Sequence, residues 1–192
     1  RDNEAVQMVH ELIRCIQVLT NNKTGLECTL AAENGVNRLA LCLDLPHEDM
    51  RLRIVKLMTL LAVTPPDGHH RVMESLTYYK QKKQEKRRFE TLLVRLSGSA
   101  TADAKGAYMT FINTLINAPT DVDLRLAIRN EFQKLGLNEV IKALRAEPLG
   151  ESEEAEALET QLGVYKEEAN VDYTELNERF KELDVDIDDA KA

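Results

Sequence analysis

The residues that could carry out chemistry in this chain are four histidines, eight glycines and a surplus of carboxylates. None of the histidines stands at a spacing to a cysteine, an aspartate or another histidine that resembles a zinc or iron site. The glycines are scattered and form neither of the common phosphate-binding loop motifs. The carboxylates concentrate in a polar C-terminal segment, whereas a general acid needs an enclosing pocket that raises its pKa. We therefore expect no enzyme, no bound metal and no cofactor.

Charge is unevenly distributed along the chain. Residues 1–145 carry 21 basic and 17 acidic side chains, and residues 146–192 carry four basic and sixteen acidic ones. This shift predicts two physically different segments that join near Arg145. Nucleic acid is a poor candidate partner for the whole chain, because contacts with phosphate require clustered lysines and arginines.

One basic run, residues 80–88, interrupts the first segment and has aromatic residues at its edges. It can be interpreted as a solvated, extended helix arm. It can also be interpreted as a docking site for an acidic partner, such as a GTPase, or for anionic lipid. The docking residues would then be Lys82, Lys83, Lys86 and Arg87.

The elements that position these residues have the pattern of helices. Apolar residues recur at three- and four-residue steps in almost every segment, and alternating strand-like runs are scarce. No apolar run approaches the roughly 20 residues that a membrane span needs. Three cysteines lie within such helical patterns, where a reduced cysteine behaves as a small hydrophobe, which favours a cytoplasmic location.

A long apolar helix followed by a short polar or proline turn occurs three times, over residues 13–22, 52–64 and 108–117. A period near 40 residues with two or three helices per unit is typical of armadillo and HEAT repeats, whose last helices line a groove. The predicted fold is therefore all-α: an armadillo/HEAT-like right-handed helical solenoid over residues 1–146, with its first repeat missing. An acidic interdomain helical segment follows over residues 147–192.

That acidic segment is predicted to form two helices, over residues 151–166 and 173–183. They share a thin apolar seam that consists of Leu158, Leu162, Tyr165, Leu176, Phe180 and Leu183. A seam this narrow packs against a neighbour and does not form a core of its own.

Several short motifs resemble the N-terminal regulatory domain of diaphanous-related formins, the armadillo-repeat region known as GBD/FH3 or the diaphanous inhibitory domain. The turn Asn-Asn-Lys-Thr-Gly-Leu at residues 21–26 resembles the family's turn after a long helix. The most specific similarity is Phe-Ile-Asn-Thr-Leu-Ile at residues 111–116 with the block at residues 123–132. Residues 33–36, 56–61, 89–92 and 135–137 also match at the family's distances, so the resemblance covers nearly the whole chain.

The resemblance implies a non-catalytic domain that binds the C-terminal autoregulatory helix of the same protein and holds actin nucleation and elongation off. A GTP-loaded Rho-family GTPase would relieve this inhibition through this region and a binding segment and first repeat expected before Arg1. It also implies that actin is engaged only indirectly and that the intact protein is a homodimer, because the tail leads toward a dimerisation region. The expected location is the cytoplasm and cytoskeleton, with recruitment to the membrane by the GTPase.

Carried over by position, the groove for the autoregulatory helix consists of Asn21, Leu26, Leu60, Val63, Thr64 and Asn113. The family usually has alanine where Leu60 stands, so leucine would fill the groove or require a smaller ligand residue. Asn113 lies in an apolar helix and needs a partner, either a peptide backbone or a neighbouring loop. The resemblance also implies an acidic patch of Glu167, Glu168 and Asp172, which attracts basic residues beside the regulatory helix.

Two other functions remain open at this point. The chain could be a generic armadillo adaptor that binds an unrelated helical or extended peptide. It could also be a structural spacer whose tail seam makes a dimer and whose groove has no ligand.

Overall fold

The structure is a computed structural model that describes residues 2–147 and 150–189. Within these ranges it contains ten α-helices and one short 3-10 helix, Cys42–Asp44, and no strand. The all-α prediction is confirmed. The helices are α1 (Asp2–Leu19), α2 (Lys23–Ala31), α3 (Gly35–Leu41), α4 (Glu48–Ala62), α5 (Gly68–Lys83), α6 (Glu90–Gly98), α7 (Ala102–Asn117), α8 (Val122–Lys134), α9 (Leu137–Ala146) and α10 (Glu153–Asp189).

Four helices form a row, since α1 packs on α4, α4 packs on α7 and α7 packs on α10. The first three are the helices that the repeat pattern predicted. The pairs α2/α3, α5/α6 and α8/α9 separate consecutive row helices in sequence and pack against them. Each unit thus adds two connecting helices and one row helix, which is the arrangement of a three-helix repeat.

The row helices bury one face and leave the other open. On α4, Ile54, Met58 and Leu61 are completely buried in the common core, whereas Leu60 is half exposed. Burying a side chain of this size stabilises the fold by about 1.5–3 kcal/mol. Because α4 presents both a buried and an exposed apolar residue in the same turn, its open face offers apolar contacts that the core does not use.

Helices α1 and α4 end in the same way, with a threonine that bonds back to the last turn. Thr20 Oγ1 donates to the Ile16 carbonyl, and Thr64 Oγ1 donates to the Leu60 carbonyl, each over 2.8 Å. The following helix then approaches so closely that a Cβ on Gly68 would lie 2.0 Å from the Leu61 carbonyl oxygen. Glycine is required at this corner because the obstruction is backbone, which cannot rotate away as a side chain can.

The basic run does not form an extended helix arm, so that interpretation was wrong. Helix α5 ends at Lys83, and Gln84 adopts the left-handed conformation with φ of 56°. The Glu90 carboxylate then accepts hydrogen bonds from the backbone N–H groups of Lys86 and Arg87, at 3.2 and 3.0 Å. These contacts hold residues 84–89 in a tight turn that leads into α6.

The acidic tail is one continuous helix, α10, and the prediction of two separate helices was wrong. Its seam does pack as predicted over the first half, because Leu158, Leu162 and Tyr165 are buried against the row. Phe180 is exposed, and the side chain of Leu183 lies outside the described residues. The division between residues 146 and 147 stays a prediction, although the first half of α10 packs as the fourth member of the row.

The cysteines are less buried than the sequence pattern indicated. Cys15 and Cys28 are exposed, because they lie on the outer faces of α1 and α2, and Cys42 is half-buried. In the described ranges, no helix combines the length and apolar character that crossing a bilayer would require.

Candidate functional site

The open face of the row contains a groove between α4, α7 and α10 that encloses about 490 Å³. Small side chains on α7 and α10 make it deep, and Leu60 projects into it from α4. Its lining residues are Lys56, Thr59, Leu60, Ala102, Asp103, Gly106, Ala107, Thr110, Glu153, Glu154, Ala157 and Gln161. A groove between neighbouring helices of one row, with an apolar floor, fits the apolar face of a helical peptide.

The rim of the groove is negatively charged. Lys56 Nζ lies 3.1 Å from Asp103 Oδ1 and offsets that carboxylate. Among the described residues, no basic group lies within 4.0 Å of the carboxylates of Glu153 and Glu154, which begin α10. The rim therefore favours a ligand that places positive charge beside its apolar face. Sequence reasoning missed these rim residues, because their approach to α4 depends on how α10 packs.

The six predicted groove residues do not all lie in one place: some are exposed at the end of α4, some are buried, and some are on or beside α2. Leu60 lines the groove and is 51% exposed. Val63 follows the end of α4 and is 59% exposed, but it does not line the cavity. Thr64 is buried and closes the end of α4. Asn21 is exposed in the turn after α1, and Leu26 is half-buried on α2, so neither lines the cavity.

Asn113 is buried under α10, with only 4% of its surface exposed. Its Nδ2 donates to the backbone carbonyl of Gln161 at 2.8 Å and to Gln161 Oε1 at 3.1 Å. Its Oδ1 has no hydrogen-bond partner in the described structure. Because Gln161 also lines the groove, Asn113 lies directly behind the groove wall. Direct contact between Asn113 and a ligand stays a prediction.

Asp172 does not belong to an exposed acidic patch, and this part of the prediction was wrong. Its side chain is buried, and its two carboxylate oxygens accept hydrogen bonds from Arg125 Nε and Arg129 Nη2, both at 2.7 Å. A carboxylate that two guanidinium groups neutralise cannot steer a basic ligand. Glu167 is exposed and Glu168 is half-buried, so these two remain accessible on α10.

Arg129 is the centre of a buried cluster that fastens α10 to α8. Its side chain is fully buried and also donates to the Tyr165 carbonyl and to Asn117 Oδ1, each at 3.2 Å. The hydrogen bond to Asp172 raises the pKa of the Arg125 guanidinium, which keeps this ion pair charged. The spacing of the two arginines, four residues apart on one helix, is the only sign of this cluster in the sequence.

The four predicted basic docking residues have separate roles. Lys83 Nζ lies 2.6 Å from Asp44 Oδ2, and Arg87 Nη1 donates to the Lys134 carbonyl at 2.6 Å. Lys82 Nζ lies 5.3 Å from the centre of the Tyr78 ring. Lys86 is exposed at the turn before α6. Only part of the predicted set is therefore available to a partner.

The described part of the chain contains no group of three or more histidine, cysteine, aspartate or glutamate side chains that could hold a metal ion. The open face of the row has instead a groove with an apolar floor and an acidic rim.

Comparison with protein families matches nearly the whole chain in two parts. The model of the Diaphanous GTPase-binding Domain matches residues 1–63, and that of the Diaphanous FH3 Domain matches residues 69–192. The chain belongs to the diaphanous family of formins. This diaphanous-type regulatory region is non-catalytic, so the prediction that it is not an enzyme is confirmed.

The GTPase-binding model covers α1 to α4 of this chain, so GTPase-binding sequence lies within the chain itself. A further binding segment and first repeat before Arg1 stay a prediction. The boundary between the two family models falls between α4 and α5, within the helical stack. The two family regions therefore share one core in the described structure.

Curated relatives support the same assignment. The chain is 33% identical over 183 residues to Formin-F and 34% identical over 188 residues to Formin-A, both from Dictyostelium discoideum. It is 30% identical over 182 residues to Protein diaphanous homolog 3 from Homo sapiens. Each alignment covers 94% of this chain and 15% of the relative, so the chain spans about one seventh of these formins.

Among solved structures, the fold is similar to a crystal structure of E. histolytica Formin1 bound to EhRho1-GTPγS. The TM-score is 0.74 at 19% sequence identity, and the match covers 91% of this chain and 60% of that one. This similarity confirms the predicted armadillo-like helical fold of the diaphanous region.

Proposed function

We propose that this diaphanous regulatory region binds the C-terminal autoregulatory helix of its own formin in the groove between α4, α7 and α10. Occupied in this way, the region holds actin nucleation and elongation off until a GTP-loaded Rho-family GTPase binds. The groove itself is the observation that carries the proposal, because it combines an apolar floor with an acidic rim. An amphipathic helix flanked by basic residues has the complementary shape and charge.

Leu60 determines how closely that helix can approach. It projects into the groove from the last turn of α4, and about half of its surface is exposed. A leucine here fills part of the floor, so the ligand helix needs a small side chain opposite it. This complementarity would let the groove discriminate between autoregulatory helices of different formins.

Replacing Leu60 with aspartate should weaken binding of a synthetic C-terminal helix from the same formin by about tenfold or more, roughly 1.4 kcal/mol. The substitution puts a charge on the apolar floor and adds to the negative rim. Leu60 is exposed, so the fold should be preserved. Fluorescence anisotropy with the labelled peptide measures the affinity, and far-UV circular dichroism checks the fold.

Val94→Asp is a matched control, since Val94 is an exposed aliphatic residue on α6 and does not line the groove. It should leave the affinity unchanged. Equal losses in both variants would show that the helix binds elsewhere. No binding by the folded wild-type chain would contradict the autoregulatory function and favour an adaptor with a different ligand.

We infer that the GTPase binds at α1, within the segment that matches the GTPase-binding model. Met8, Leu12 and Leu19 lie on one stripe of α1, and each is more than half exposed. Such a stripe offers an apolar contact surface that the core leaves uncovered. The complex between the similar Formin1 and EhRho1-GTPγS supports a Rho-family partner.

Replacing Leu12 with aspartate should weaken binding of a GTP-loaded Rho-family GTPase by about tenfold, because it puts a charge into the apolar contact. Biolayer interferometry with GTPγS- and GDP-loaded protein measures the effect. Leu60→Asp is the comparison variant, since it should impair the helix and spare the GTPase. If Leu60→Asp weakens GTPase binding and Leu12→Asp does not, the GTPase binds away from α1.

In the cell, we expect a cytoplasmic, cytoskeleton-associated protein that the GTPase recruits to the membrane. We also expect a homodimer in the intact formin and only indirect engagement of actin by this region.

A further inference from the structure

The surface where α5 and α8 both end has more positive charge than its carboxylates can balance. Asp44 is engaged by Lys83, with 2.6 Å between the charged atoms. Glu131 is engaged by Arg88, whose Nε donates to Glu131 Oε2 over 3.2 Å. Glu90 accepts the two backbone hydrogen bonds that form the turn before α6. Glu85, in the same turn, accepts the hydroxyl hydrogen bond of Thr91. Each of these four carboxylates therefore has a partner, which is a cation for Asp44 and Glu131 and a neutral group for Glu85 and Glu90.

Four cations at this surface remain without a carboxylate partner: Lys80, Lys86, Arg87 and Lys134. In the described ranges, no carboxylate oxygen lies within 4.0 Å of their charged nitrogens. The negative C-terminal ends of α5 and α8 favour some positive charge here. However, Arg87 already donates to the last carbonyl of α8. The three lysines therefore add more positive charge than the end of α8 needs.

These cations surround a cavity of about 370 Å³. It is lined by Thr77, Lys80, Lys86, Arg87, Arg88, Glu131 and Lys134. Arg88 is held in place from two sides, because it donates to Glu131 and to Thr77 Oγ1, the latter at 3.3 Å. Once Arg88 and Glu131 neutralise each other, the lining retains four positive charges around a space large enough for a small polyanion.

We propose that this cavity binds a ligand with clustered phosphates, of the chemistry found in inositol polyphosphates and phosphoinositide head groups. Phosphate oxygens accept charge-assisted hydrogen bonds from ammonium and guanidinium groups. A single phosphate carries about −1.5 to −2 charge, so two or more phosphates are needed to offset four cations. The site lies on α5, the turn at residues 84–89 and α8, and it shares no lining residue with the groove for the autoregulatory helix.

The test uses isothermal titration calorimetry of the whole chain with inositol trisphosphate as the soluble ligand. A second arm uses sedimentation with phosphatidylcholine vesicles, with and without phosphatidylinositol bisphosphate. Replacing Lys86 and Lys134 together with glutamate should reduce the affinity by about tenfold or more. Both side chains are exposed, so the variant should remain folded, which circular dichroism verifies.

The matched control replaces Lys166 and Lys181 on α10 with glutamate, which changes the net charge equally at two exposed positions outside the cavity. It should bind as the wild type does. Binding of the soluble ligand supports the site, and binding of the vesicles alone identifies a lipid source. No binding in either arm, or an equal loss in the α10 control, would overturn the proposal.

Discussion

Replacing Asp172 with alanine should lower the free energy of unfolding by about 3–5 kcal/mol, because breaking a buried ion pair leaves an uncompensated charge in the interior. Arg129 is fully buried, and Asp172 Oδ2 accepts its hydrogen bond at 2.7 Å. Two neutral carbonyl oxygens would remain as its partners, from Tyr165 and Asn117. Urea denaturation followed by circular dichroism measures the loss.

Two further variants show whether the loss of stability comes from leaving a buried charge unpaired or only from losing one contact. Glu175→Ala removes a neighbouring ion pair of Arg125 at a partly exposed position, so it should cost no more than about 1 kcal/mol. The double substitution of Arg129 with methionine and Asp172 with leucine should recover much of the stability, since both buried charges are then absent. If Asp172→Ala costs no more than Glu175→Ala, the cluster does not fasten α10 to α8.

The consequence for function follows from the position of α10. This helix forms one wall of the groove with Glu153, Glu154, Ala157 and Gln161. Leu158 and Leu162 hold that wall against α7, and the Asp172 cluster holds the next turns against α8. We therefore expect Asp172→Ala to loosen the groove from its far end, even though Asp172 itself does not contact the ligand.

Replacing Gly68 with alanine should destabilise the fold by about 2–3 kcal/mol, since overpacking against backbone cannot be relieved by a change of rotamer. The new Cβ would lie 2.0 Å from the Leu61 carbonyl oxygen. To accommodate it, α5 must move away from the end of α4. In a chain of this size, the loss corresponds to a fall of roughly 4–12 °C in the melting temperature.

Gly163→Ala is the matched control, because its added Cβ would have no neighbour within 4 Å inside helix α10. This substitution should raise stability by about 0.5–1 kcal/mol, the advantage of alanine over glycine in a helix interior. Thermal unfolding of the two variants should therefore shift in opposite directions. A rise in the melting temperature of Gly68→Ala would mean that the corner between α4 and α5 has room for a side chain.

Much of the fold could be predicted from the sequence because helices are encoded locally. The three- and four-residue spacing of apolar residues predicted the helices, and the repeated segments predicted α1, α4 and α7 as equivalent members of a row. Asp121 at the start of α8 and Gly136 at its end are the residue types that favour helix starts and ends. Asp121 accepts the hydrogen bond of the Asp123 N–H group at 3.0 Å, and Gly136 has φ of 92°.

Less of the site could be predicted. Leu60, which the resemblance placed in the groove, lines the cavity between α4, α7 and α10, and its contact with a ligand helix stays a prediction. The rim residues Glu153 and Glu154 were missed, because nothing local indicates that the start of α10 lies beside α4. The basic cavity was predicted only in part, since Lys134 joins Lys86 from more than 40 residues away in the chain.

Asp172 shows most clearly what the sequence by itself determined and what only the tertiary structure decided. The sequence determined that residues 146–192 are strongly acidic and that residues 151–166 and 173–183 have helical period, which are properties of composition and spacing. It could not determine which carboxylate meets Arg125 and Arg129, because α10 carries many carboxylates and α8 is more than 40 residues earlier. Packing of α10 against α7 and α8 selects Asp172 for burial and leaves Glu167 in solvent. The physical reason is that burial and charge pairing depend on distances between helices, which helical period does not specify.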